Sequence, residues 1–338
     1  IQYCFQEFFD CRTGDDNWLA INYDDSKWQM NCPSAPQGSA PWHTLEDRSI
    51  PLFRRKKISP KKIIAQAQGI ATHNWEKIED IRKTLKNEAF KWENKEEKVD
   101  TLQLLPGING KIFDWEQEAV GILFFEIESS SADEVLTIFV FESMLDGKPN
   151  VSDDPVTLFG GKIILKKGKN KHFFTMPLGF RYLAICSSGK ADIKINVSLQ
   201  ETLYPLEIRG RFNCSDAVLQ KIWDISVHTQ QSCMSDAYID CPWREYVQWW
   251  GDALVQSSNT FRLTDDSRLM ARGLRQIGKK TLPNGLTYAI APSSELMVLP
   301  DYSAVWIVTL LQYYWQTGSL DLWFELRKTA DRIMYYFE

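Results

Sequence analysis

The stretch that decides the reading is Tyr238–Ala253, YIDCPWREYVQWWGDA, where acids, aromatics and helix-starting residues crowd more densely than elsewhere in the 338-residue chain. Pro242 suits the first turn of a helix, where its missing N–H costs nothing, and Asp240 stands just ahead of it. The pattern predicts a helix from about Pro242 to Phe261. On such a helix Glu245, Trp249 and Asp252 fall at i, i+4 and i+7, a single face, with Arg244 and Asp240 at its N-terminal end. Breaking a glycosidic bond needs such a set: an acid to protonate the leaving oxygen, acceptors for ring hydroxyls, and an aromatic floor. A purely structural reading stands beside it. Asp240 and Glu245 could cap the helix and complement its dipole, Arg244 could pair with either, and Trp249 could be core.

Outward from this stretch the chain divides in two. From Asn213 the apolar spacing is helical: Leu219, Ile222, Trp223, Ser226 and Val227 recur on one face after a Ser215 cap. Further helices are predicted over Asp265–Ile277, over Tyr302–Thr317 ending at Gly318, and after Ser319 to the end. The run WIVTLLQYYW is apolar on most sides, which predicts burial in a layered helical array. Residues 1–200 read instead as β, clearest in Ile122–Glu128, Val135–Glu142, Lys162–Lys167, Phe180–Cys186 and Ala191–Leu199. Alternation in DIKINV, with no βαβ rhythm, implies an antiparallel sandwich or jelly roll with one wet face. CPSAPQGSAPWH, within Trp18 to Leu52, reads as a surface excursion. The Lys- and Glu-rich residues 74–104 read as a solvated helix or insertion loop.

Composition narrows the classes. A net charge of −5 argues against a nucleic-acid partner. No run of eighteen apolar residues is present, so no membrane span is expected. The 13 Trp, 12 Tyr and 18 Phe are an excess that packing largely absorbs. The same excess suits sugar binding, because the C–H face of a pyranose stacks on an indole. Seven scattered cysteines (Cys4, Cys11, Cys32, Cys186, Cys214, Cys233 and Cys241) form no CxxC pair, and His43, His73, His172 and His228 show no ligand spacing. Neither a metal nor a cofactor is expected. Both ends look cut: Ile1 is not preceded by Met, and RIMYYFE stops inside a helical pattern. A leader ahead of Ile1 would send the protein to the periplasm or outside the cell; without one it stays in the cytoplasm.

Two motifs carry a family resemblance. FNCSDAVLQKIW (Phe212–Trp223) followed by DCPWREYVQWWGD (Asp240–Asp252) resembles the bacterial α-L-rhamnosidases of glycoside hydrolase family seventy-eight. PLGFRYLAI (Pro177–Ile185), PDYSAVW (Pro300–Trp306) and YYWQTGSLDL extend the likeness over most of residues 175–330. A weaker likeness over residues 1–60, in DDSKW, PWHTL and RSIP, points to part of a lectin-like β-module. The resemblance implies residues 1–60 in that module, 61–208 in a β-sandwich module, and 209–338 as the first part of an incomplete all-α (α/α)6, six-hairpin barrel.

The resemblance also implies an inverting hydrolase that removes terminal α-L-rhamnose from oligosaccharides or glycosides. Glu245 matches the general acid. Asp240, Arg244 and Asp252 match residues holding rhamnose hydroxyls, and Trp249 matches the pocket indole. Trp249, joined by Trp250 and Trp306, is the candidate for an apolar wall against the sugar's methyl group. Asp301 matches a barrel Asp, with helix capping as the alternative. To act as an acid at neutral pH Glu245 must hold its proton there, which neighbouring Asp charges and partial burial favour. Tyr246, Gln248 and Trp250 depart from the common pattern, which bears on aglycone preference. An inverting enzyme needs a second carboxylate roughly 6.5–9.5 Å from the acid. In the family it comes late in the barrel, so the base is expected beyond residue 338, and these residues alone are expected to be inactive and poorly stable. The alternatives are another (α/α)6-barrel glycosidase, or a catalytically silent carbohydrate-binding protein that works through its β-modules.

Overall fold

A computed structural model describes residues 6–14, 17–28, 36, 38–40, 46–69, 90–99, 102–107, 110–151, 159–187 and 189–338. Most of CPSAPQGSAPWH, the whole of PWHTL, residues 74–89, Cys4, Cys32, His43 and His73 lie outside the described residues.

The β half begins with β1 (Gln6–Asp10), β2 (Lys57–Ile58), β3 (Lys62–Gly69), β4 (Phe90–Lys98) and β5 (Leu102–Leu104). It continues through β6 (Gly110–Ser129), β7 (Val135–Phe141), β8 (Met144–Leu145), β9 (Lys148–Pro149), β10 (Phe159–Ile164), β11 (Gly168–Phe173), β12 (Leu178–Ser187) and β13 (Ile193–Glu201). Eleven of these strands form one sheet along the path β1-β10-β7-β12-β6-β13-β2, with β11 and β3 also on β6, β4 on β3 and β5 on β13. Successive side chains of a strand point to opposite faces, so β7 sends Leu136, Ile138 and Val140 to one core and Phe139 and Phe141 to another.

The 20-residue β6 organises the sheet. Gly110–Asp114 pairs with Tyr182–Cys186 of β12, the pairing skips 115–118, and Ala119–Gly121 then pairs with Leu178–Phe180. Glu116 takes φ 66 inside this bulge, and its N–H donates to the Asp114 carboxylate at 2.6 Å. Arg181 grips the same buried carboxylate through two hydrogen bonds of 2.9 and 3.0 Å. Bulges re-aim a strand, and beyond this one β6 pairs with β13 and β11. Phe113 before the bulge, Trp115 within it, and Leu123, Phe125 and Ile127 after it share one buried core.

Two expectations change here. β1 runs parallel to β10, in register from Gln6↔Gly160 to Asp10↔Ile164, so the sheet is not wholly antiparallel. Residues 90–98, expected as solvated helix or loop, form a strand. Trp92 packs against the Phe139–Phe141 core, and the charges meet across strands, as in Lys62–Glu96 and Lys111–Glu97 at 3.3 and 3.2 Å.

The helical half holds α1 (Ala217–Ser232), α2 (Trp250–Leu263), α3 (Arg268–Lys279), α4 (Pro300–Thr317) and α5 (Asp321–Phe337) among the described residues. Asp216, not Ser215, caps α1, accepting from Val218 N at 2.8 Å and Leu219 N at 3.2 Å. Gly318 ends α4 at φ 70, as the sequence predicts. Trp250, Leu274, Trp306, Leu322 and Ile333 build the helical core. One side of the array stays open. Leu219 and Ile222 of α1, and Val308, Leu311 and Trp315 of α4, are exposed, so the expectation of burial on most sides of the last helices is not met by the described residues.

Candidate active site

The predicted helix from Pro242 does not form. Residues 241–249 are turn and extended backbone, and α2 starts only at Trp250. Glu245, Trp249 and Asp252 therefore do not share a helical face; a loop brings them together instead. Its base is closed by Asp240, whose N–H donates to Val247 O at 3.0 Å and whose Oδ1 accepts from Val247 N at 2.9 Å. Such side-chain capture of nearby backbone N–H groups is what draws Asp into turns rather than helix interiors. Tyr246, at φ 54, makes the reversal, a conformation that costs a bulky residue energy and needs surrounding structure to hold it. Burial pushes its phenol up, and the hydroxyl is hydrogen-bonded with Ser235.

Glu245 projects from this loop with both oxygens engaged. Trp249 Nε1 donates to Oε2 at 2.9 Å, and the Arg244 guanidinium pairs with Oε1. Its side chain keeps 22% exposure, so it remains reachable from solvent. Asp252 lies in the first turn of α2. Removal from water, and then the charges of Asp240 and Glu245, push its carboxyl up, which places the three acids in one electrostatic neighbourhood.

Tyr302 joins the group although no sequence argument singled it out. Its ring stands edge-on to Trp249 at 6.3 Å, and its phenol feels the charges of Asp252 and Asp301. Gly251 makes this approach possible, since a Cβ there would lie 2.5 Å from Tyr302 Cζ. The signal was present in PDYSAVW, one residue after Asp301. Asp301 itself is exposed in the first turn of α4, where it complements the dipole, while the N-cap position belongs to Leu299.

The wall assigned to Trp250 and Trp306 is corrected. Both are 0% exposed within the helical core, and Trp306 Nε1 donates to Leu274 O at 3.0 Å. Gln248 is also interior, donating to Ala291 O at 2.5 Å and to Gln276 at 3.1 Å. Tyr246, Gln248 and Trp250 thus serve packing, and a bearing on aglycone preference does not follow from where they sit. Indoles separate by what flanks them: Trp249 precedes the helix and stays half-buried, whereas Trp250 begins it and turns inward.

The family model described as the bacterial alpha-L-rhamnosidase 6 hairpin glycosidase domain matches residues 207–329. No curated protein matches the sequence. Among solved structures, the GH78 family rhamnosidase of Bacillus sp. GL1 is similar at 17% identity and TM-score 0.80, over 97% of this chain and 53% of that one. The rhamnosidase from Klebsiella oxytoca, solved with rhamnose bound, is similar at 20% identity and TM-score 0.68, over 84% and 56%. The alpha-L-rhamnosidase from Dictyoglumus thermophilum is similar at 17% identity and TM-score 0.70, over 98% and 33%. The chain thus spans about half the length, or less, of these structures. Over residues 207–329 the chain is therefore similar to the six-hairpin glycosidase domain of bacterial alpha-L-rhamnosidases.

Proposed function

We propose that the protein is a glycoside hydrolase that releases terminal α-L-rhamnose by an inverting mechanism, with Glu245 as general acid. The observation that carries this reading is the placement of Glu245: held by Trp249 and Arg244, part-exposed, and in the electrostatic range of Asp252. Protonation of the leaving oxygen by Glu245 answers the poor leaving ability of an alkoxide, the barrier that general acids lower. Asp240, Arg244, Asp252 and Asp301 are assigned to rhamnose hydroxyls, where charge-assisted hydrogen bonds are the strong ones. Trp249 and Tyr302 supply the apolar surface for the methyl-bearing face of a deoxy sugar.

The finer architecture belongs to the same reading. The bulged β6 with a shared core is read as β-sandwich architecture, and α1–α5 as the first part of an (α/α)6 barrel. The exposed apolar residues of α1 and α4 support this, because further helices packing there would cover them. The carboxylate that activates water is assigned to the protein beyond residue 338, consistent with rhamnosidase structures of which this chain covers 53% and 56%.

A panel of aryl glycosides incubated with the full-length protein tests the reading, with the released sugar followed by proton NMR. The expected result is preference for α-L-rhamnoside and initial appearance of β-L-rhamnose. Preference for another sugar would point to a different barrel glycosidase, and initial α-L-rhamnose would remove the inverting assignment.

One observation favours a second reading, carbohydrate binding by the sheet. A cavity of about 340 Å³ on the outer sheet face is lined by Trp18, Phe124, Phe173, Glu126, Lys171 and Asn196. Aromatic faces with a polar rim suit a saccharide. If binding were the whole function, glycan retention would survive Glu245→Gln and vanish with Trp18→Ala.

A further inference from the structure

The loop that carries Glu245 does not rest on the helices alone. Its tip, Pro242–Trp243, reaches across to the β half. Gly179 of β12 lies so close that a Cβ there would stand 2.5 Å from Pro242 O and 2.7 Å from Pro242 Cβ. Trp243 packs against the main sheet core, with its ring 6.2 Å from that of Phe159 in β10. The β6 bulge beside Gly179 is tied to the helical half as well, since Val120 pairs with Gly179 and His228 of α1 bonds the neighbouring Glu118 carbonyl at 2.8 Å.

Only Arg244 separates Trp243 from Glu245. With the loop base closed by Asp240 and Val247 and its tip seated on the sheet, the Glu245 backbone has two fixed ends a few residues apart. We infer that Gly179 and Trp243 are positioning residues for Glu245, so that the β half is an integral part of the acid's placement rather than an appended module. This rests on Glu245 being the general acid. The physical argument is that misplacement by about an ångström costs on the order of 100-fold in rate, and a methyl at Gly179 forces a shift of that size on the Pro242 backbone.

A leaving-group series on the full-length protein tests the inference. An acid matters most for a poor leaving group and little for an activated phenol such as 2,4-dinitrophenol. For Gly179→Ala the expected result is a 10- to 100-fold fall in kcat on an alkyl α-L-rhamnoside. Against this, the dinitrophenyl substrate should lose less than about threefold, and KM should stay within about twofold on both. Trp243→Phe should be mild on every substrate and Trp243→Leu should repeat the Gly179→Ala pattern, so the Trp243 pair decides should Gly179→Ala fail to fold. Equal loss on all leaving groups in the folded variants, or no loss, would overturn the inference. Glu245→Gln in the same series keeps the two claims apart. If it shows no leaving-group dependence the acid assignment fails, whereas if it alone shows that dependence the positioning role fails.

Discussion

The indole N–H of Trp249 donates to Glu245 Oε2 across 2.9 Å, although both residues lie in the loop ahead of α2 rather than on one helix. The hydrogen bond therefore does what the predicted i, i+4 geometry would have done, and it orients the carboxylate while Trp249 keeps one face toward Tyr302.

Trp249→Phe keeps an aromatic face and removes the donor. A hydrogen bond to a charged group contributes about 1.5–3 kcal/mol. We expect kcat on an aryl α-L-rhamnoside to fall by at least an order of magnitude with KM changed less than about threefold. A rise in KM alone would assign Trp249 to sugar contact without a role in holding the acid.

Gly251→Ala places a methyl where the Tyr302 ring now sits. Displacing that ring from Trp249 should weaken rhamnose binding by about 5- to 10-fold, in keeping with the ~0.5–1.5 kcal/mol of an aromatic pair. Titration calorimetry with free rhamnose checks this, and Tyr302→Ala should reproduce the loss. Unchanged affinity in both would separate Tyr302 from the sugar site.

How far the site was legible follows from these residues. The residue types of DCPWREYVQWWGD marked Glu245, Asp240 and Asp252 as candidates beside a purely structural reading, and their separate roles came only from the family resemblance. The local conformation was not legible. Pro242 is as acceptable in a turn as in a first helical turn, and the deciding forces are Asp240 capturing Val247 N and Trp243 packing on Phe159, 84 residues away in sequence. Trp306 was misread for a similar reason, since helical spacing does not say which side of a helix meets a neighbour. In the β half, alternation identified the long strands, but the parallel pairing of β1 with β10 needed contacts across about 150 residues.

Trp306→Phe tests that correction. Removing part of a fully buried indole should destabilise the protein by about 1–3 kcal/mol while rhamnose affinity stays within twofold. Chemical denaturation and calorimetry measure the two effects. A large loss of affinity at unchanged stability would restore Trp306 to the sugar site.

Glu118, inside the β6 bulge, predicts a pH dependence of stability. Burial, and then the charge of Glu142, push its carboxyl from 4.5 up to about 8. Because the folded-state value is the higher, the folded protein binds more protons between those limits, and stability falls as pH rises through that window. Below about 4.5 both states are protonated and Glu118 carries no such penalty. Glu118→Gln should therefore stabilise the protein at pH 8 by on the order of 1–2 kcal/mol more than at pH 4.5. Melting curves that shift equally at both pH values would contradict this.

The account stands on Glu245 delivering the proton to the leaving oxygen. The direct measurement is kcat/KM of the full-length protein and its Glu245→Gln variant on an alkyl α-L-rhamnoside, with folding confirmed by matched melting curves. We predict a fall of at least about 100-fold, the contribution of a positioned general acid. A Glu245→Gln variant within threefold of the parent would contradict the account.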